Sequence, residues 1–147
     1  MLKELAIILG ILAVLAASGC TGSSLNSNPP DYVKSVSAIK DGPGLQIYFI
    51  LADKEGQMTT SDGKFVLKVT QGGRTLFTSV PVNVTKSQFE KRSVGMGNFE
   101  HDVIMHLVGR LAYEDMSRSP QSGMGEVEIS FTTPSGETLK GEETVFF

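Results

Sequence analysis

The chain has one cysteine, no tryptophan and two histidines among its 147 residues. A lone thiol cannot build a disulfide framework or a multi-thiolate zinc site. Thirteen basic residues stand against sixteen acidic ones, a net charge of −3, so there is no basic excess to neutralise a phosphate backbone. Nucleic acid is therefore not an expected partner. There is no G-x-S-x-G turn to expose a serine nucleophile. Gly95-Met96-Gly97 and Gly123-Met124-Gly125 lack the third glycine of a dinucleotide-binding loop. No apolar run reaches the length of a membrane-spanning helix either. The longest, residues 5–17, has thirteen positions without a polar side chain. As a helix it would rise about 20 Å, against a hydrocarbon core of about 30 Å.

That run is nevertheless the strongest local signal. Lys3 precedes it, with Glu4 beside it, and the small residues Ala17, Ser18 and Gly19 follow, directly before Cys20. A charged start, a short apolar centre and small residues before a cut are the marks of a secretory leader. From the residues alone, cleavage after Gly19, an uncleaved signal anchor, and plain secretion with a free thiol all stay open.

The sequence Ala17-Ser18-Gly19-Cys20 resembles the lipobox of prokaryotic lipoproteins, in which small residues stand directly before an obligatory cysteine. Cys20-Thr21-Gly22 is similar to the mature start of many archaeal and some bacterial members. The resemblance covers about the first 22 residues. It implies residues 1–19 as a signal peptide, cleavage before Cys20, and a diacylglyceryl group on the Cys20 sulfur. Two acyl chains hold a protein on a bilayer lastingly, where one holds it only marginally. Lys3 and Glu4 would leave together, so the net charge would not change.

Residues 21–31 (TGSSLNSNPPD) are almost wholly Ser, Asn, Gly and Pro. With little apolar surface to offset chain entropy, residues 20–31 read as a lipidated cysteine followed by a flexible spacer. Its end-to-end distance would be roughly 15–20 Å. From Tyr32 onward the hydrophobic period is two. Residues 45–52 put Leu45, Ile47, Phe49 and Leu51 on one face and Tyr48, Ile50 and Ala52 on the other, as in a strand covered on both sides. Phe65, Leu67 and Val69 alternate with Lys64 and Lys68, and Val127, Ile129 and Phe131 follow the same pattern. Asp41-Gly42, Glu55-Gly56, Asp62-Gly63, Gly72-Gly73 and Ser135-Gly136 punctuate these runs as turns.

Strands are expected near residues 32–40, 44–52, 64–71, 74–84, 99–109, 126–133 and 138–146. In 99–111 the residues Phe99, Val103, Leu107 and Leu111 would also suit a helix, but the flanking glycines favour a strand. A helical turn is expected around 112–117. About seven short strands with glycine-rich turns resemble an immunoglobulin-like or fibronectin type III-like fold. That implies one all-β, antiparallel β-sandwich over residues 32–147, without the core Trp and cysteine pair of antibody domains. Such a fold supplies no chemistry by itself.

Few side chains can carry chemistry. His101 and His106, five residues apart, fall on opposite faces of a strand. Glu100, Asp102 and His106 could share one face and are the weak candidates for a metal site. Asp53, Glu55 and Asp62 do not follow a calcium-loop pattern and read as turn acids. Asn83-Val84-Thr85 is an N-glycosylation sequon, with Asn83 outward if Val80, Val82 and Val84 point inward. The two Gly-Met-Gly segments read either as bulged loops whose Met fills core gaps or as two loops forming one contact surface. No cofactor is expected. The chain is thus expected to be a non-enzymatic lipoprotein on the extracytoplasmic face of the cell membrane, binding a protein or polymer of the envelope or serving a structural role. A small-ligand or metal-binding accessory module for an envelope transporter is the alternative.

Overall fold

The computed structural model describes residues 25–147. The residues read as a signal peptide and lipobox, Ala17, Ser18, Gly19 and Cys20 among them, lie outside the described residues. Ten antiparallel strands form two five-stranded sheets. The first sheet contains β1 (Tyr32–Lys40), β2 (Gly44–Ala52), β3 (Met58–Thr59), β7 (Phe89–Val94) and β8 (His101–Ala112). The second contains β4 (Gly63–Gln71), β5 (Arg74–Thr78), β6 (Val82–Val84), β9 (Met124–Thr132) and β10 (Thr138–Phe146). The strand orders are β1-β2-β8-β7 and β10-β9-β4-β5, with β3 paired to β2 and β6 to β4. These orders coincide with the A-B-E-D and G-F-C layers of a constant-type immunoglobulin sandwich, extended by β5.

The alternation in the sequence sets the core. Leu45, Ile47, Phe49 and Leu51 of β2 are fully buried, and face Phe65, Leu67 and Val69 of β4 and Val127, Ile129 and Phe131 of β9. Phe49 is the centre, with the rings of Phe65, Phe131 and Phe89 at 5.6, 5.9 and 6.2 Å. Tilted and edge-on aromatic pairs at such separations add to simple area burial. The second face of β2 is covered too, since Ile50 packs with Val103 and Met105 of β8 beneath Tyr48, Met58 and Val94.

Three expectations about strands are corrected. The span 74–84 is two strands, because the ladder breaks at Ser79-Val80-Pro81. The Ser79 hydroxyl accepts the Leu67 N–H at 2.8 Å in place of a ladder carbonyl, and Pro81 has no N–H to offer. Val80 and Val82 are consequently exposed rather than inward, and only Val84 is buried. Strand β7 was not expected, because Glu90, Lys91, Arg92 and Ser93 leave only Phe89 and Val94 to show a pattern. Those charges suit an edge strand, where they discourage pairing with a second sheet. Finally, residues 97–99 form a short 3-10 turn, so β8 starts at His101 and Phe99 is not part of it. A 3-10 turn at Tyr113–Asp115 fits the helical turn expected there.

The sheets are pinched where β1 lies over β10. A Cβ on Gly141 would sit 2.5 Å from Val33 Cγ1 and 2.9 Å from Val33 Cβ. Val33 is β-branched and stiff, so it cannot swing aside. Gly141→Ala is expected to cost about 1–3 kcal/mol in urea unfolding, with part of the loss recovered in Gly141→Ala/Val33→Ala. An unchanged midpoint for the single variant would contradict this packing.

Candidate functional site at the N-terminal end of the sandwich

Strand direction gathers one set of segments at the end where β1 begins and β2 finishes, called the proximal end below. Tyr32 pairs with Ala52 there, and Asp31 N–H donates to the Ala52 carbonyl at 2.7 Å. The β2–β3 turn, the start of β4 and the β9–β10 turn meet at this end, and β8 begins here. The β1–β2 turn, where Lys40 pairs with Leu45 and Gly44 with Ala112, marks the distal end.

The centre of the proximal end is Asp53, only 1% exposed. Its Oδ1 accepts the backbone N–H groups of Glu55 at 3.1 Å and Gln57 at 2.9 Å, closing the β2–β3 turn. Its Oδ2 accepts the side-chain amides of Asn26 at 2.9 Å and Asn28 at 3.2 Å. The carbonyl of Asn26 in turn accepts the Thr60 N–H at 2.8 Å and the Thr60 hydroxyl at 3.0 Å. Thr59, fully buried, donates its hydroxyl to the Asn28 carbonyl at 2.6 Å. Leu25 packs against the core, and Pro30 is buried. Residues 25–31, expected to belong to the flexible spacer, are thus bound into the domain. The physical reason is that amide side chains and backbone carbonyls bind the segment alongside its two apolar contacts, Leu25 and Pro30. A composition argument based on apolar burial cannot see this.

Four N–H donors around one buried carboxylate favour its charged form. Asn26, the largest influence, holds the Asp53 carboxyl below its ordinary range, against the burial that would raise it; Asn28, Gln57 and Glu55 add to the lowering. The same donors occupy the oxygen positions that a cation would need. Beside this clamp lies a cleft of about 320 Å³ bordered by Pro29, Pro30, Asp62, Lys86, Pro134 and Glu137. Asp62 Oδ1 already accepts the Lys86 backbone N–H at 2.8 Å.

The residues singled out from sequence as a metal candidate do not converge. His106 is in the core, with its ring 5.1, 5.4 and 5.6 Å from those of Phe49, Phe89 and Phe65. Its Nδ1 is buried without a hydrogen-bond partner. Glu100 and Asp102 are exposed beyond the core, where Glu100 accepts the Ser93 hydroxyl at 2.5 Å and Asp102 pairs with Lys91 at 3.5 Å. Among the described residues no group of three or more His, Cys, Asp or Glu is placed to hold a metal ion. The same alternation that aligns positions 100, 102 and 106 in sequence carries 106 under the opposite sheet and 100 past its edge. Asn83 is exposed on the edge strand β6, as an acceptor asparagine must be.

The two Gly-Met-Gly segments are corrected as well. Met96 is 84% and Met124 61% exposed, so neither fills the core. Met124 pairs with Phe146 at the distal end, whereas Met96 lies at the proximal end in the loop from β7 to β8. They cannot form one surface. Sequence reading also missed the Asp53 clamp. The available signal was Asn26-Ser27-Asn28, two amides two residues apart; Asp53 was read as a turn acid, which it is, but without these amide partners.

Comparison of the chain with protein-family models, with curated proteins and with solved structures finds no match.

Two titrations follow from this geometry. Burial in a ring of phenyl groups lowers the His106 pKa from its ordinary 6.5, with the Glu90 charge opposing. The unfolded chain therefore takes up a proton that the fold resists, and stability falls as pH drops below about 6.5. His106→Leu is expected to remove this acid loss and, by deleting an unpaired buried nitrogen, to gain on the order of 1 kcal/mol at pH 7. Persistence of the loss in His106→Leu, by urea unfolding across pH, would contradict it. Asp53, with its pKa lowered, contributes stability above about pH 4 that disappears as pH falls through its folded value. Asp53→Asn is expected to lower Tm at pH 7, to flatten the stability–pH curve below pH 4, and to open residues 25–31 to proteolysis.

Proposed function

We propose that this protein is a lipid-anchored lipoprotein on the extracytoplasmic face of the cell membrane, whose β-sandwich serves a non-enzymatic binding or structural role in the envelope. The observation that carries the reading is the position of the only cysteine. It follows Ala17-Ser18-Gly19 at the end of a thirteen-residue apolar run. The described residues begin at Leu25, five positions after Cys20. Among the described residues no helix is long and apolar enough to cross a membrane. The role is recognition by confinement. An anchor holds the domain in two dimensions and raises its effective concentration near membrane-bound or wall-bound partners.

A binding or structural role fits the chemistry on the surface better than catalysis does. The buried imidazole faces phenyl rings, and the Asp53 carboxylate is saturated by donors. The exposed acids of the β7–β8 hairpin sit in ion pairs and hydrogen bonds with their neighbours. None of these groups is poised to move a proton to a bound molecule.

Intact-mass measurement of the protein extracted from its own membranes tests the reading. The expected species starts at Cys20 and carries a lipid thioether, and Cys20→Ser carries no lipid. A native chain with an unmodified Cys20 sulfhydryl and residues 1–19 still attached would overturn it.

A further inference from the structure

The β7–β8 hairpin departs from the rest of the first sheet. The ladder between β2 and β8 runs from Gly44–Ala112 to Phe49–His106 and stops. Beyond it β3 takes the β2 edge, pairing Leu51 with Thr59 and Ala52 with Met58. The Met58 sulfur accepts the Ile104 N–H at 3.4 Å, filling the gap between the separating strands. From His106 to His101, β8 pairs with β7 alone through Val94–His101, as a two-stranded ribbon. Ala52 is three residues beyond Phe49 and His101 five residues beyond His106, so the ribbon runs about 7 Å past the end of β2. Its tip is then residues 95–100. This is the end of the sandwich to which the Asp53 clamp fixes Asn26 and Asn28.

The tip has the composition of an interfacial wedge. Residues 95–99 (GMGNF) have no charged side chain, and Met96 and Phe99 are each 84% exposed, the most of any large hydrophobic in the described chain. Gly95, at φ 97°, turns the chain so tightly that a Cβ there would strike the Phe99 carbonyl, and this leaves both apolar side chains pointing out. The two cations of the stem are neutralised, Lys91 by Asp102 and Arg92 by Glu90. Nothing among the described residues covers this tip.

The length of chain outside the structure says what does. If Cys20 carries the lipid, four residues separate it from Leu25, and the five Cα–Cα steps can span no more than about 18 Å in any conformation. The clamp fixes the far side of that link to the proximal end. With such a link the proximal end, with its apolar tip, is the end of the domain nearest the headgroups. We propose that Met96 and Phe99 insert into the interface of the bilayer that holds Cys20, giving the domain a second contact and a fixed orientation on the membrane. This rests on the anchored reading above. A tip with an aromatic and a thioether side chain, whose one carboxylate, Glu100, accepts the Ser93 hydroxyl at the stem, fits the acyl–headgroup boundary, where amphipathic segments bury their apolar face. A second exposed apolar pair, Met124 and Phe146, is at the distal end and would face away from the membrane, and Val80 and Val82 lie at the sheet edge beside β4.

The test uses the full-length, lipidated protein in phosphatidylcholine–phosphatidylglycerol vesicles. A lipidated Cys20 has no free thiol, so Phe99→Cys offers a single labelling site for an environment-sensitive fluorophore, and Lys40→Cys, at the distal end, serves as its counterpart. At position 99 the emission is expected to shift to the blue and to be quenched by nitroxides on shallow acyl positions, and at position 40 to match water. Water-like emission at 99 on protein that floats with the vesicles would overturn the proposal and leave the anchor standing. A blue shift that nitroxide lipids do not quench and that grows with protein concentration would also overturn it, assigning the tip to a second copy of the chain. Labelling of Cys20 in the wild type, with the protein left out of the vesicle fraction, would overturn both.

Discussion

One buried carboxylate fixes how this chain enters its own fold. Asp53 gathers four N–H donors, two from the backbone of its own turn and two from the side chains of Asn26 and Asn28. A buried charge is tolerated only when paired or hydrogen-bonded, and here neutral amides supply the compensation, without a cation. The consequence reaches beyond stability. Because residues 26 and 28 are tied to the β2–β3 turn, the N-terminal chain must leave the sandwich at one end. A segment of composition that would otherwise wander becomes a short link of known attachment point.

The sandwich behind the clamp follows from alternation and volume. Phe49 reaches from one sheet into the gap between Phe65 and Phe131 of the other, and Gly141 lets the β1 and β10 edges close where a side chain would hold them apart. His106 is the anomaly in this core, a polar ring among phenyl groups with an unpaired Nδ1. It occupies a site of aromatic shape and costs the fold some acid resistance. The strand order is shared with immunoglobulin-type domains. That layout is compatible with many roles, and function here is argued from the surface and the N-terminus.

The core was legible in the sequence because it is written in period two. Leu45 to Leu51, Phe65 to Val69 and Val127 to Phe131 all point inward as expected. Four of the five turn dipeptides do close turns, each around a glycine of positive φ. Gly63 does not; it opens β4 and is glycine because the Phe131 ring and the Thr132 carbonyl crowd it. What escaped was structure without an apolar signature. β7 is a charged edge strand anchored by Phe89, and β3 has two residues. The clamp is built from amides and hydroxyls 25 or more residues apart in sequence. Phe99 misled for the opposite reason. It is apolar and falls in step with Val103 and Leu107, yet it stands in solvent at a hairpin tip. Glu100, Asp102 and His106 share sequence spacing, but the strand that aligns them also passes from solvent into the core.

Hydrogen exchange reads the clamp directly. If residues 25–31 belong to the folded domain, the amides of Asp31 and Thr60, bonded to Ala52 and Asn26, exchange at rates close to those of the core strands β2 and β9. Exchange of both at unstructured-chain rates, with β2 and β9 still protected, would mean that the N-terminal segment is loose and that the domain has no fixed orientation to inherit from it.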